Sequence, residues 1–190
     1  MESEMTTRPQ PRLDASLTAL LVILASETIF FGTLILAYLF MRSGQTNWPF
    51  ANASLSELLL PGLNTLVLVI SAVTAWRASR FIQQNDRAGL QSGLTITLLL
   101  GLLFVVGQVT EFTHSGLQIS DAGFGGVYFA LIGFHAVHVL AGVVALALIL
   151  LRVHLGDFDA EHHSVVTAGA WFWYYVTAVW LVLFLVLFLV

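Results

Sequence analysis

The sequence predicts an all-α integral membrane bundle of five transmembrane helices, and three observations carry that expectation. Of the 190 residues, 58% are hydrophobic and only 9% charged, against roughly a quarter charged in ordinary soluble domains, which excludes a water-soluble fold. Apolar runs of roughly 20 residues, enough to cross a hydrocarbon core at helical rise, recur five times. These runs are continuous and rich in leucine and valine. They lack the dyad alternation of an outer-membrane strand, which leaves helices as the way to satisfy every backbone group in lipid.

The first run, about 17–41, follows a polar leader (1–14) containing Pro9 and Pro11 that reads as a disordered cytoplasmic segment. It is too long for a cleaved signal peptide and is expected to stay in the mature protein. Glu27 lies about ten residues into it, roughly 15 Å deep. The second run, about 58–81, opens on Pro61-Gly62, where proline suits a first helical turn. Asn64 and Thr65 follow, placed to bond across helices. The third, about 90–112, carries Gln108 and Glu111 one turn apart near its outer end, with His114 beyond. Glu111 is expected to reach interfacial water, a lipid headgroup or a neighbouring subunit.

The fourth run, about 124–151, holds small residues at Gly126, Ala130, Gly133, Ala136 and Gly142, which permit close helix approach. It also holds His135 and His138. The fifth, about 165–190, contains Trp171, Trp173, Tyr174, Tyr175 and Trp180, spread too far along the helix to form only an interfacial belt. Several of them must pack against other helices or a partner.

There is no lysine, and the seven positive charges are Arg8, Arg12, Arg42, Arg77, Arg80, Arg87 and Arg152. A cytoplasmic N-terminus puts all but Arg42 inside, the asymmetry that orients short-looped helices, so the expected topology is N-in and C-out. The formal net charge of −4 argues against nucleic acid as a partner. With no cysteine, thiolate metal sites, disulfides and c-type haem attachment are excluded. No internal repeat is evident, so 15–190 is expected to form one transmembrane domain.

Ionisable groups in a bilayer core cost several kcal/mol, which makes each a functional candidate. Glu27, His135 and His138 fall in one layer. The two histidines are spaced i,i+3, on a face where a carboxylate from a neighbouring helix can meet them. Two readings stay open: a pair that only fixes packing, and a proton-handling site. A metal site is disfavoured, because no second ligand pair stands on a facing helix. The loop before the last run contains Arg152, His154, Asp157, Asp159, Glu161, His162 and His163. It is either a solvated connection or, on the cytoplasmic side, a cluster that collects protons.

Several segments then fall into a familiar order. They are Ser26-Glu27-Thr28-Ile29-Phe30-Phe31, Pro61-Gly62-Leu63-Asn64-Thr65, Gln108 with Glu111, Ile119-Ser120-Asp121, Gly133-Phe134-His135 with His138-Val139, His162-His163, and Ala170-Trp171-Phe172-Trp173 with Val179-Trp180. In this order the chain resembles subunit III of the haem-copper respiratory oxidases, the cytochrome c oxidase type, in its short five-helix bacterial form. One stretch departs from the pattern. Where the family usually has Trp-His-Phe-Val-Asp, this chain has Trp173-Tyr174-Tyr175-Val176-Thr177, so the family's His and Asp are replaced by groups that are uncharged at neutral pH.

The resemblance implies a subunit without haem, copper or other metal, bound to catalytic subunit I alongside subunit II in a bacterial plasma membrane. Haem and copper are expected in those partners. It also implies bound phospholipid, support of proton uptake and stability of subunit I, with Gln108, Glu111, Asn64, Trp171, Trp173, Tyr174 and Trp180 as lipid or subunit contacts. Subunit III of a quinol oxidase and an accessory subunit of nitric oxide reductase resemble the chain in the same motifs. A dihaem electron carrier would need facing histidines at membrane depth, and a proton-coupled transporter would show inverted repeats and broken helices. Neither pattern is evident in the sequence.

Overall fold

The computed structural model describes residues 15–44, 55–114, 124–156 and 163–189. The leader, Ile119-Ser120-Asp121, Asp157, Asp159, Glu161 and His162 lie outside the described residues. Five helices follow in order: α1 (Ala15–Ser43), α2 (Leu55–Gln83), α3 (Arg87–His114), α4 (Phe124–Leu155) and α5 (Ser164–Phe184), the last continuing into a π-helical turn, Leu185–Leu189. All five are long and apolar enough to cross a membrane, and no strand occurs among the described residues.

Most of the helices outrun the apolar runs at their ends, and those ends carry suitable charges. Arg42, Arg80 and the pair Arg152 and His154 sit in the last turns of α1, α2 and α4, where cations complement the negative end of the helix dipole. α2 starts about a turn and a half before Pro61, so the proline stands inside the helix and not in its first turn. Its missing N–H removes one backbone bond, and the Thr65 hydroxyl donates to the Pro61 carbonyl at 2.7 Å one turn on.

α2 and α3 form a tight hairpin. Asn85 takes a left-handed conformation with φ 58°, which asparagine tolerates better than most residues. The Asp86 carboxylate then accepts from the Gly89 N–H at 2.9 Å, capping α3. Along the hairpin a side chain at Gly93 would come within 2.8 Å of the Ala78 Cβ, and Thr74 and Thr97 share a 2.8 Å hydroxyl bond.

The remaining contacts close a ring: α2 packs on α3 and α5, α3 on α4, and α4 on α5, while α1 lies outside against α4 and α5. Only 6% of α1's most apolar stretch is buried, against 33% in each other helix, so α1 is a peripheral helix bathed in lipid or covered by a partner.

Trp173 ties the ring together. It is fully buried, its indole lies between Gly101 of α3 and Gly142 of α4, and its N–H donates to the Ser71 hydroxyl of α2 at 3.0 Å. One side chain of α5 thus touches three other helices. Of the small residues on α4, Gly142 serves this close approach. Gly126 and Gly133 do not, because a side chain at either would meet nothing within 4 Å. Gly126 is exposed, and Gly133 stands in the wall of an open cleft between α3 and α4.

Candidate functional site: the intramembrane polar layer

Where α1 crosses α4, the Glu27 carboxylate lies 3.0 Å from Nε2 of His138. The other ring nitrogen, Nδ1, lies 2.7 Å from the Phe134 carbonyl one turn earlier. A carbonyl only accepts, so Nδ1 carries a hydrogen and donates it. Nε2 then either accepts the acid proton of a neutral Glu27 or, as part of an imidazolium, donates to the carboxylate. Both arrangements sum to zero charge, which is the condition for placing two ionisable groups at this depth. The pair holds one proton along a single line.

His135 does not join the pair. Three residues along a helix rotate the side chain by roughly 300°, so the two imidazoles diverge by about 60°, enough to send them to different neighbours. His138 faces α1. His135 is fully buried, stacked on Trp180 of α5 with ring centroids 5.2 Å apart and flanked edge-on by Phe31 and Phe104 at 6.4 and 6.3 Å. Neither of its nitrogens has a hydrogen-bond partner. Aromatic rings thus lie on three sides of the imidazole.

The other polar groups named from sequence divide by environment. Asn64 is buried and donates to the Phe104 carbonyl of α3 at 3.2 Å. Trp180 donates to the Thr65 hydroxyl at 2.9 Å. Trp173 and Trp180 are internal, whereas Trp171 is 37% exposed. Gln108 and Glu111 are buried, at 5% and 9% exposure, so Glu111 is turned inward near Tyr128 and not out to interfacial water. Helix α3 presents that face to α4. Neither carboxylate oxygen of Glu111 has a hydrogen-bond partner, nor does Gln108 Oε1. Among the described residues no group of three metal-ligating side chains comes together. Ser71, Thr74 and Thr97, which tie α2 to α5 and α3, escaped the sequence reading, because isolated hydroxyls in apolar runs carry no periodic signal.

Open clefts run between neighbouring helices. An apolar cleft of about 240 Å³ between α3 and α4 has Gln108 in its wall. A larger one, about 600 Å³, runs between α4 and α5 and ends at Arg152. A third, about 310 Å³, lies between α2 and α5 and is lined mainly by polar and aromatic side chains. Of the residues the sequence assigns to the connecting loop, Arg152 and His154 stand instead in the last turn of α4, His154 exposed with its Nδ1 2.8 Å from the Leu150 carbonyl, and His163 precedes α5 with its Nδ1 buried and unpaired.

Comparison with known proteins agrees with this geometry. A family model described as cytochrome c oxidase subunit III matches residues 10–190. The cytochrome c oxidase subunit 3 of Synechocystis sp. is 33% identical over 177 residues, covering 93% of this chain and 76% of that protein. That of Thermostichus vulcanus is 30% identical over 177 residues, covering 93% and 88%. The human protein of the same name is 33% identical over 171 residues, covering 87% of this chain and 66% of the relative.

Proposed function

The chain belongs to the cytochrome c oxidase subunit III family, and from that premise we propose that it carries no redox centre and serves catalytic subunit I by holding lipid, stabilising the complex and supporting proton uptake. It is a multi-pass membrane subunit of a haem-copper oxidase and works within an oxidoreductase complex containing other subunits. Haem and copper belong to subunits I and II in this reading. The membrane is the bacterial plasma membrane, N-terminus inside. The chain spans more of the Synechocystis and Thermostichus relatives than of the human one, which favours that setting.

The observation that carries the auxiliary role is the Glu27–His138 pair. It is closed on itself within one chain, balanced in charge, and sits at the edge of the bundle and not at its centre. A group in that position can fix α1 onto α4 and hold a proton, but it lines no continuous polar path among the described residues. The open clefts along α4 and α5 fit acyl chains.

The test is the purified complex assayed with this chain, without it, and with Glu27→Gln. The Glu27→Gln complex is expected to assemble and reduce oxygen at close to the parent rate, while the complex lacking the chain starts near that rate and inactivates over repeated turnovers. Abolished oxygen reduction in a fully assembled Glu27→Gln complex would put Glu27 on an obligatory proton path and end the auxiliary reading.

The loop between α4 and α5 is assigned the proton-collecting part of this role, on the strength of its mixture of imidazoles and carboxylates. Replacing His154, His162 and His163 together by Gln is expected to slow turnover mainly at high pH, where protons are scarce. A turnover profile against pH that superimposes on the parent's would reduce the loop to a connection.

A further inference from the structure

We infer that the cleft between α2 and α5 is a binding site for the phosphate of a phospholipid headgroup, with Arg80 as its charged contact and Trp76 and Trp171 as its flanks. The inference rests on the lipid-holding part of the proposed function and gives it a specific place, separate from the apolar cleft that ends at Arg152.

The cleft is unlike the others around the bundle. The apolar ones are walled by leucine, valine, alanine and phenylalanine, whereas this one is lined by Arg80, Ser79, Gln83, Thr167 and Tyr174 together with the two tryptophans. It sits within a turn of the end of α2 and at the start of α5, hence at headgroup level if the helices cross the bilayer. Trp76 is 50% exposed and Trp171 37%, as expected of indoles at that level.

Two features make the site attractive to an anion. The Arg80 guanidinium lies 5.3 Å from the Trp76 ring centre, and it forms no ion pair among the described residues. The contact holds the charge over the cleft and leaves its fork of donors open, the geometry that matches a phosphate. The floor also has unmet polar demand. The Tyr174 hydroxyl, beside Ser79 and in the field of Arg80, is buried without a hydrogen-bond partner.

A buried hydroxyl without a partner is unfavourable in a native membrane protein, and a headgroup oxygen would relieve it by accepting from Tyr174. Tyr174 is also the position where this chain departs from the usual family histidine. A phenol that donates beside an arginine suits an anion. The two indole flanks and the depth select a lipid over a free phosphate, because they give the acyl chains an apolar exit along α2 and α5.

The test uses the intact oxidase complex purified in mild detergent with the parent chain, Arg80→Gln, Arg80→Lys or Tyr174→Phe, followed by mass spectrometry of retained phospholipid per haem. Arg80→Gln is expected to lose one phospholipid per complex and Tyr174→Phe to lose it in part, with Arg80→Lys closer to the parent. Washing with inorganic phosphate should leave the parent's lipid in place. Equal lipid retention in all four complexes would overturn the inference and leave Arg80 to the chain's own carboxylates. Displacement by inorganic phosphate would overturn its lipid part. If the parent chain fails to co-purify with other oxidase subunits, the proposed function fails instead, an outcome readable from the subunit composition alone.

Discussion

Gly142→Leu is expected to abolish accumulation of the folded chain in the membrane, whereas Gly133→Leu, nine residues earlier on the same helix, should accumulate like the parent. At Gly142 a Cβ alone would lie 2.8 and 2.9 Å from ring carbons of Trp173, inside van der Waals contact. The indole has nowhere to go. Its far edge already sits where a Cβ on Gly101 would be 2.8 Å away, and its N–H is held by Ser71 on α2. Overpacking a tight core costs about 1–3 kcal/mol when neighbours can shift, and more when they cannot. Here the obstructed residue joins α5 to three other helices, so the cost falls on the whole ring.

At Gly133 nothing lies within 4 Å of an added Cβ, which makes it the matched control for helix propensity and hydrophobicity. Chain abundance in washed membranes and the thermal midpoint in detergent would measure both. A Gly142→Leu chain that accumulates and melts like Gly133→Leu would show that Trp173 is not a fixed wedge. A small ring-to-aliphatic change, Trp173→Leu, should partly rescue Gly142→Leu by returning volume to the same slot.

The contrast between these two glycines marks where sequence reasoning stops. The five spans were legible because hydropathy over some twenty residues is a one-dimensional property fixed by bilayer thickness. So was the shared level of Glu27 and His138 along their helices, which needs only the rise per residue. Direction around a helix needs the neighbours. From the sequence Gly133 and Gly142 are equivalent small residues, and His135 and His138 are equivalent partners for Glu27. Their separation appears only once α1 is known to lie against one side of α4 and α5 against another. Glu111 shows the same limit, since an acid near a helix end reads as wet until that end is seen to press against α4. Pro61 reads as a helix start because proline suits a first turn, yet α2 tolerates it in its second turn. The α2–α5 cleft had no local signature at all, as its polar residues come from the end of one helix and the start of another.

His138→Leu is expected to destabilise the chain far more than removing both members of the pair. In the parent, Nδ1–H is satisfied by the Phe134 carbonyl and Nε2 by Glu27, so the pair is electrically neutral and both groups are bonded. Leucine at 138 leaves the Glu27 side chain, 28% exposed, facing an aliphatic wall. Breaking one side of a buried pair costs about 3–5 kcal/mol when the remaining charge is trapped. Partial exposure and uptake of a proton by the acid bring the expected loss to roughly half of that, about 2 kcal/mol. Glu27→Leu combined with His138→Leu removes the polar demand from both helices and replaces it with apolar contact, which is often neutral or stabilising. The cycle therefore predicts a double mutant more stable than His138→Leu alone, with a coupling of about 1–3 kcal/mol. His138→Gln, whose amide can still donate to Glu27, should fall between parent and leucine. Thermal midpoints of the four chains in one detergent decide the matter. Additive losses would mean that Glu27 and His138 are separately solvated and that α1 is held to α4 by its apolar contacts alone, chiefly the Phe30–Phe134 edge-to-face pair at 5.0 Å.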